Sequence, residues 1–203
     1  IGSASFPGGL EVQRTYDGMG RLKSIPNYVN AFTYNERGLL AKVDYSNGTS
    51  TAYQFDQRLR TSSLKSTLKD GSAIVDLSYS RDRAGNMLAV AENVTRTTPV
   101  RHGATFTYDA WSRLKTAGLA RSAGDPEVLT FAFDDIDNVT SITSSLGAES
   151  KAHVGAITYN ATKPNAVGKA GSVDYTQDER GNTATRAGVA YQRDAFNRLV
   201  KVE

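Results

Sequence analysis

The side chains with the most obvious chemical potential are carboxylates. Asp134, Asp135 and Asp137 lie together and are followed by Asn138, an oxygen-rich group of the kind that ligates calcium. The spacing lacks the alternating DxDxDG pattern, and no glutamate stands at the twelfth position, so no metal ligands are assigned. Asp178–Glu179 and Asp82 offer acids for paired-carboxylate glycoside chemistry, but each falls inside a recurring turn described below. His102 and His153 are the only histidines; neither belongs to a GxSxG elbow or an HExxH helix, and both read as loop or surface residues. The absence of cysteine removes disulfides, thiolate zinc sites and cysteine nucleophiles. Trp111, the only tryptophan, and Phe196 occupy equivalent turn interiors. Packing over a neighbouring repeat is the favoured reading for both, and stacking on a sugar ring is the alternative. No catalytic constellation forms. Catalytic residues, metal and cofactor are all expected to be none, ligand-binding residues are unassigned, and the chain reads as a non-enzyme.

Composition narrows the partners. The chain has 203 residues, 24 Lys and Arg against 21 Asp and Glu, and a net charge of +3. The charges are dispersed, with no basic run to follow a phosphate backbone, so a nucleic-acid partner is not expected. Hydrophobic residues make up 39%, and no run approaches the roughly 18 apolar residues of a spanning helix. Eighteen glycines against five prolines point to many tight turns.

The elements that position these residues repeat. Successive segments are RTYDGMGRLKSI (14–25), FTYNERGLLAKV (32–43), YQFDQRLRTSSL (53–64), YSRDRAGNMLAV (79–90), FTYDAWSRLKTA (106–117), FAFDDIDNVTSI (131–142), YTQDERGNTATR (175–186) and YQRDAFNRLVKV (191–202), with a degenerate ninth, ITYNATKPNAVG (157–168). Thirteen of the 18 aromatics lie within three residues before the turn-opening Asp or Asn: Tyr16, Phe32, Tyr34, Tyr53, Phe55, Tyr79, Phe106, Tyr108, Phe131, Phe133, Tyr159, Tyr175 and Tyr191. The repeat residues assigned a structural role are Tyr16, Asp17 and Gly20; Tyr34, Asn35 and Gly38; Phe55 and Asp56; Tyr79, Asp82 and Gly85; Tyr108, Asp109 and Arg113; Phe133 and Asp134; Tyr175, Asp178 and Gly181; and Tyr191, Asp194 and Arg198.

Each copy reads as a β-hairpin. Aromatic-x-aromatic alternates with the period of a strand that has one apolar face. Asp or Asn then opens a type I turn by bonding the backbone ahead of it. Gly20, Gly38, Gly85 and Gly181 close the turn with a positive φ. Asp137 and Asn197 take that place elsewhere, Ser112 fits it less well, and the copy at Asp56 looks shortened, with a different turn expected. Asn47-Gly48 and Asp70-Gly71 mark further hairpins between copies. Looser returns fall near Thr97–Pro99, Ala123–Pro126 and Leu146–Ser150. About a dozen strands in one continuous antiparallel meander are expected, with aromatics on one face of each incoming strand and small polar residues on the other. Two greasy faces are missing, so a curved sheet with one solvated face is favoured over a sandwich. Neighbouring copies would stack aromatics and arginines across strands, and stability would come from nearest-neighbour contacts.

The motif Y-x-Y-D-x-x-G-R-L, carried in order from residue 14 to 202, resembles the YD repeat of rearrangement-hotspot (Rhs) proteins, bacterial wall-associated proteins, insecticidal toxin complexes and animal teneurins. The order Asn165-Ala166-Val167, YTQDERGN, YQRDAFNRL is similar to the late part of a bacterial Rhs core. The resemblance implies an all-β fold: a long antiparallel hairpin meander forming a curved strip of a spiralling hollow shell. It implies a structural module, residues 1–203, interior to a larger shell that encapsulates or presents a C-terminal toxin or effector. The alternative is a cell-surface carbohydrate-binding or adhesion module built from the same repeats. Implied partners are the remaining repeats, an enclosed toxin and possible carbohydrate, with no membrane span. The implied location is secreted or cell-surface, by a dedicated bacterial export system. Asp125-Pro126 is the only Asp-Pro pair, and the Glu127-Val128-Leu129 that follows departs from the DPxG-type boundary of the family core.

Overall fold

The computed structural model describes residues 2–5, 11–94, 103–121 and 124–203. These fall into two compact units, Ile1–Ala104 and Thr105–Glu203. His102 and the Thr97–Pro99 return lie outside the described residues, as does Ala123. No described helix is long and apolar enough to cross a membrane.

The first unit holds β1 (Gly2–Ser5), β2 (Glu11–Tyr16), β3 (Leu22–Ser24), β4 (Val29–Tyr34), β5 (Leu40–Tyr45), β6 (Ser50–Phe55), β7 (Thr61–Thr67), β8 (Ala73–Arg81) and β9 (Met87–Glu92). The second, which β10 enters with its second residue, holds β10 (Ala104–Tyr108), β11 (Leu114–Leu119), β12 (Glu127–Phe133), β13 (Val139–Ser144), β14 (Gly155–Asn160), β15 (Lys163–Ala170), β16 (Val173–Gln177), β17 (Thr183–Arg186), β18 (Val189–Arg193) and β19 (Leu199–Val202). A 3-10 turn, Gly147–Glu149, fills the Leu146–Ser150 return. Within each unit strand order follows chain order, the pattern of an antiparallel meander.

Two expectations need correction. Nineteen strands among the described residues replace the expected dozen, because hairpins also close at sites with no Asn-Gly or Asp-Gly. Asn160 pairs with Lys163 around Ala161-Thr162, and Ala170 pairs with Val173 around Gly171-Ser172. Arg186 pairs with Val189 around Ala187-Gly188, where φ is +51° and +82°, as a type I′ turn requires. The meander is also interrupted. Strands β1–β3 form a sheet of their own, followed by a tight turn closed by an isolated bridge between Ile25 and Val29. Pro26 sits in that turn and has no N–H to extend a ladder.

The strands alternate as half-buried strands should. In β12, Leu129, Phe131 and Phe133 turn inward while Val128, Thr130 and Ala132 are exposed. In β10, Phe106 and Tyr108 are half-buried and Thr105 and Thr107 exposed. Among the described residues only Val29, Val43, Ala117, Leu129 and Thr51 are buried, and no side chain is completely enclosed. Hydrogen-bonded ladders and contacts between adjacent hairpins therefore carry more of the stability than a deep core does.

One irregularity recurs at a fixed place. Thr15 pairs with Ser24 but Tyr16 with Leu22, so Lys23 is an extra residue on the outgoing strand. The same step leaves out Ala41, Ser62, Leu88, Thr140, Ala184 and Val200 in their hairpins. Each of these seven repeat turns is thus followed by a β-bulge, which raises the local right-handed twist.

Candidate functional site

The recurring turn is the feature that the chain repeats with most care. At Asp17, Oδ1 accepts the backbone N–H groups of Met19 and Arg21, both at 2.9 Å, and Oδ2 accepts Arg21 Nε at 2.7 Å. The backbone closes around it, Gly20 N donating to Asp17 O at 3.0 Å and Asp17 N to Arg21 O at 2.8 Å. One carboxylate thereby satisfies the donors of its own turn and holds the fifth residue in place.

The same wiring recurs. At Asp109, Arg113 Nε lies 2.7 Å from Oδ2, and Arg198 Nε is equally close to Asp194. Where the fifth residue is asparagine, its amide substitutes: Asn86 Nδ2 lies 2.9 Å from Asp82, Asn138 Nδ2 2.9 Å from Asp134 and Asn182 Nδ2 3.0 Å from Asp178. Asn35 keeps only the backbone contacts, to Arg37 and Leu39 at 3.0 Å. The Asp56 copy, expected to differ, does not. Asp56 accepts Arg58 N, Arg60 N and Arg60 Nε at 2.9, 2.9 and 2.7 Å. Leu59 takes the glycine place at φ +65°, because the carboxylate's bonds outweigh the steric cost of a left-handed leucine. Ser112, Asp137 and Asn197 adopt φ of +62°, +68° and +68° at that place, and Gly20, Gly38, Gly85 and Gly181 adopt +76°, +79°, +107° and +83°. The degenerate copy at Asn160 departs, forming the two-residue hairpin already described.

These contacts hold the carboxyls below the ordinary aspartate range. The Arg21 backbone N–H and then its guanidinium act on Asp17, and the Arg60 backbone N–H acts most on Asp56. The amides of Asn86, Asn138 and Asn182 act most on Asp82, Asp134 and Asp178, and the Arg198 guanidinium acts most on Asp194. At Asp109 burial pushes the other way, and the Arg113 backbone N–H and side chain outweigh it.

Adjacent turns are joined by a second set of contacts. The residue just before the Asp or Asn reaches back to the carbonyl that follows the fifth residue of the preceding copy. Tyr34 Oη donates to Leu22 O at 2.9 Å, Arg81 Nη1 to Thr61 O at 2.6 Å, Tyr159 Oη to Val139 O at 2.9 Å and Arg193 Nη1 to Thr183 O at 2.7 Å. Gln177 Nε2 makes the corresponding reach to Val167 O at 2.5 Å. Burial first, and then the nearby Asp134 charge, raises the Tyr159 pKa. Guanidinium groups stack forward on the next ring: Arg21 lies 4.4 Å from the Tyr34 centroid and Arg113 4.7 Å from that of Phe133, distances at which a cation is attracted to a ring face. Arg113 also contacts Asp137 Oδ1 at 2.8 Å and Asp134 O at 3.1 Å. Arg186 is paired in register with Tyr175, and the neighbouring Tyr175, more than Tyr191, raises its pKa.

The remaining predicted positions lie at strand ends or over neighbouring rings. Arg81 lies 5.7 Å from the Tyr79 centroid, Tyr16 is exposed, and Phe55 and Tyr108 are half-buried strand ends. Sequence reasoning missed Asn86, Asn138 and Asn182 as partners of the Asp, and Arg81, Gln177 and Arg193 as back-reaching donors. The signal was present, since these polar residues fill places that aromatics or arginine fill in other copies.

The chemically suggestive residues resolve differently. Asp134 and Asp137 are engaged by turn donors and by Arg113, and no group of three metal-capable side chains occurs among the described residues. Around His153, Glu127 accepts Ser144 Oγ at 2.7 Å and also Ser150 Oγ, and these two hydroxyls, Ser150 first, lower its pKa. His153 Nδ1 accepts Ser144 N at 3.2 Å. The imidazole does not stand between a serine and the carboxylate, as a nucleophilic relay requires. The favoured packing of Trp111 and Phe196 is overturned. Trp111 is 74% and Phe196 80% exposed, and the groups stacked on them are Arg113 and Arg198, the arginines of their own turns, at 4.7 and 5.5 Å.

A meander of Asp-wired turns with forward-stacked arginines and back-reaching tyrosines defines a class by its geometry: a β-strip of hairpins joined turn to turn. No protein-family model and no curated protein sequence matches the chain. Solved structures do. The Tc holotoxin pore of Photorhabdus luminescens matches with a TM-score of 0.66 at 16% identity, over 97% of this chain and 12% of that one. A TcdB2–TccC3 crystal structure matches with a TM-score of 0.64 at 16% identity, over 94% and 12%. TcdB2–TccC3 without its hypervariable C-terminal region matches at 0.65 and 17% identity, over the same shares. At this identity the likeness shows the fold: the chain folds as a stretch of these toxin-complex chains does, and spans about 12% of their length.

Proposed function

We propose that the chain is a structural, non-enzymatic module: a segment of a YD-repeat wall whose partners are the neighbouring repeats of the same wall and an enclosed C-terminal toxin or effector. The observation that carries this reading is the match to TcdB2–TccC3 without its hypervariable C-terminal region, which still covers 94% of the chain. The likeness therefore resides in the constant part of those proteins and not in the variable one. The turn chemistry agrees, since the best-formed contacts join one hairpin to the next. The reading includes export from a bacterium, as secreted or surface-borne material. The repeat residues assigned from sequence, from Tyr16 and Asp17 to Asp194 and Arg198, would be wall-forming residues.

The test is protease protection in the longer polypeptide in which such a strip would sit. Its C-terminal segment should resist a protease that degrades the same segment expressed alone, and electron microscopy should show a hollow with internal density. Cleavage at the rate of the free segment, or a solid two-sheet body, would refute encapsulation.

A second reading, a carbohydrate-binding or adhesion module, is favoured by the exposure of Trp111 and Phe196. Their faces stand at a turn edge where a sugar ring could stack. A glycan array should show binding by the wild-type chain that Trp111→Ala and Phe196→Ala abolish; no binding by wild type removes this reading.

A further inference from the structure

Between the third and fourth repeat turns the strip departs from its own pattern of charge. The place before the Asp, held by Tyr or Phe in most copies, is Arg81, and the fifth residue of the Asp82 turn is asparagine instead of arginine. Arg83 adds another cation in the turn. Together with Arg58 and Arg60 of the preceding turn, four guanidinium groups line a cleft of ≈ 300 Å³ whose carboxylates are Asp56 and Asp82.

Both carboxylates are occupied. Asp56 is taken by Arg58 N, Arg60 N and Arg60 Nε. Asp82 is taken by Gly85 N at 2.7 Å, Asn86 N at 2.9 Å and Asn86 Nδ2 at 2.9 Å. Arg58, Arg81 and Arg83 have no carboxylate partner among the described residues, and two of the four forks are fixed by single backbone contacts. Arg58 Nη1 donates to Arg83 O at 2.5 Å and Arg81 Nη1 to Thr61 O at 2.6 Å. Arg60 Nη1 lies over Gly85, 3.3 Å from where a Cβ would stand, so glycine there leaves room for the guanidinium as well as supplying the positive φ.

A guanidinium presents five N–H donors in a rigid plane, so an arginine held by one of them keeps the others free and already oriented. Pre-ordered forks lose less entropy when they engage an anion. We propose that this cleft is a binding site for a tetrahedral oxyanion, a phosphate or sulfate group, free or as a small ester. A carboxylate would satisfy one fork; a tetrahedral anion offers oxygens to several at once. The corresponding cleft between the last two turns is a natural control. It has the same architecture, including Arg180 Nη1 on Ala195 O at 3.1 Å. There Asp178, Glu179 and Asp194 face Arg180 and Arg193, and the surplus of positive charge is absent.

The test is an amide-shift titration of the full chain at low ionic strength, where screening is weak. Sodium phosphate, sodium sulfate and glucose 6-sulfate are compared with sodium chloride at matched ionic strength. Saturable changes confined to residues 56–60 and 81–85 are expected. Arg83→Ser keeps the carbonyl used by Arg58 and should weaken binding roughly tenfold, the scale of one charge-assisted hydrogen bond; Arg180→Ser should leave it unchanged. Tighter binding of the sugar ester assigns the site to an esterified ligand, and equal binding assigns it to the free ion. Shifts reproduced by chloride, unaffected by Arg83→Ser, or weakened equally by Arg180→Ser overturn the proposal.

Discussion

Gly181 offers a clean measurement of what the repeat turn demands. Its φ is +83°, and a Cβ built there meets nothing within 4 Å, so Gly181→Ala isolates the backbone cost from any clash. Placing a side chain in the left-handed region costs about 1–2 kcal/mol. Alanine recovers about 0.4–1 kcal/mol by restricting the unfolded chain. The net expectation is a loss of about 1 kcal/mol. For a unit the size of Thr105–Glu203, that corresponds to about 4–8 °C in Tm if the unit melts on its own. Two companions complete the series. Gly181→Asn should lose less than half as much, since asparagine visits this region readily and Asn197 already occupies the equivalent place at +68°. Gly171→Ala should lose more, because its Cβ would stand 2.1 Å from Val154 O. The Val154 backbone is held by its N–H on Ile142 O at 3.0 Å, and the forced shift adds roughly 1–3 kcal/mol. Urea and thermal melts of the three variants give the order Asn, Ala, Gly171→Ala. Equal losses, or an inverted order, would refute the turn geometry as the source of the glycine requirement.

Acid should unfasten the turns together. Their aspartates are held below the ordinary value of about 3.9 by turn N–H groups and side chains. A depressed carboxyl contributes stability that is fully present above its unfolded pKa and is lost as pH falls through the folded one. Melting temperatures should hold steady above about pH 5 and fall progressively below about pH 4; a flat profile down to pH 2 would contradict the wiring. Tyr159→Phe removes the donor to Val139 O and should cost about 1 kcal/mol, read by urea denaturation and by faster hydrogen exchange at the β13–β14 hairpin. No change in either would show that the back-reaching hydroxyl does not join the copies.

The hairpin unit was legible because its determinants are local. An Asp that caps its own turn, a residue with positive φ three places on and an alternating incoming strand all lie within a dozen residues, and the type of each residue reports its task. The Asp56 turn was misread because Leu59 hides a left-handed conformation behind a residue that rarely adopts one; only the bonds from Asp56 reveal it. The bulge after these seven turns was not legible, since the skipped residues Lys23, Ala41, Ser62, Leu88, Thr140, Ala184 and Val200 share no side-chain type. It is a property of the ladder and not of the residue. The outward stance of Trp111 and Phe196 was missed for another reason. Large aromatics usually signal burial, but in both of these turns the ring stands out with the arginine two residues later stacked on it.

The tyrosine that gives the motif its name is best understood through the copies that lack it. Tyr34 and Tyr159 reach a carbonyl of the preceding copy with a phenol, Arg81 and Arg193 with a guanidinium, and Gln177 with an amide. Phe133 has no donor to offer, and there the preceding Arg113 comes forward onto its ring. The position therefore selects for length and for some attraction across the gap, and aromaticity is one way of meeting that requirement. This explains how the repeat tolerates drift at these junctions without losing its register, since several chemistries supply the contact. It also explains where new chemistry can arise. Replacing a neutral ring by arginine preserves the junction while adding a charge, and at Arg81 that substitution coincides with the loss of the arginine that would have been paired to Asp82. A strip built on such interchangeable contacts can acquire a charged cleft between two turns without disturbing the strands that hold it.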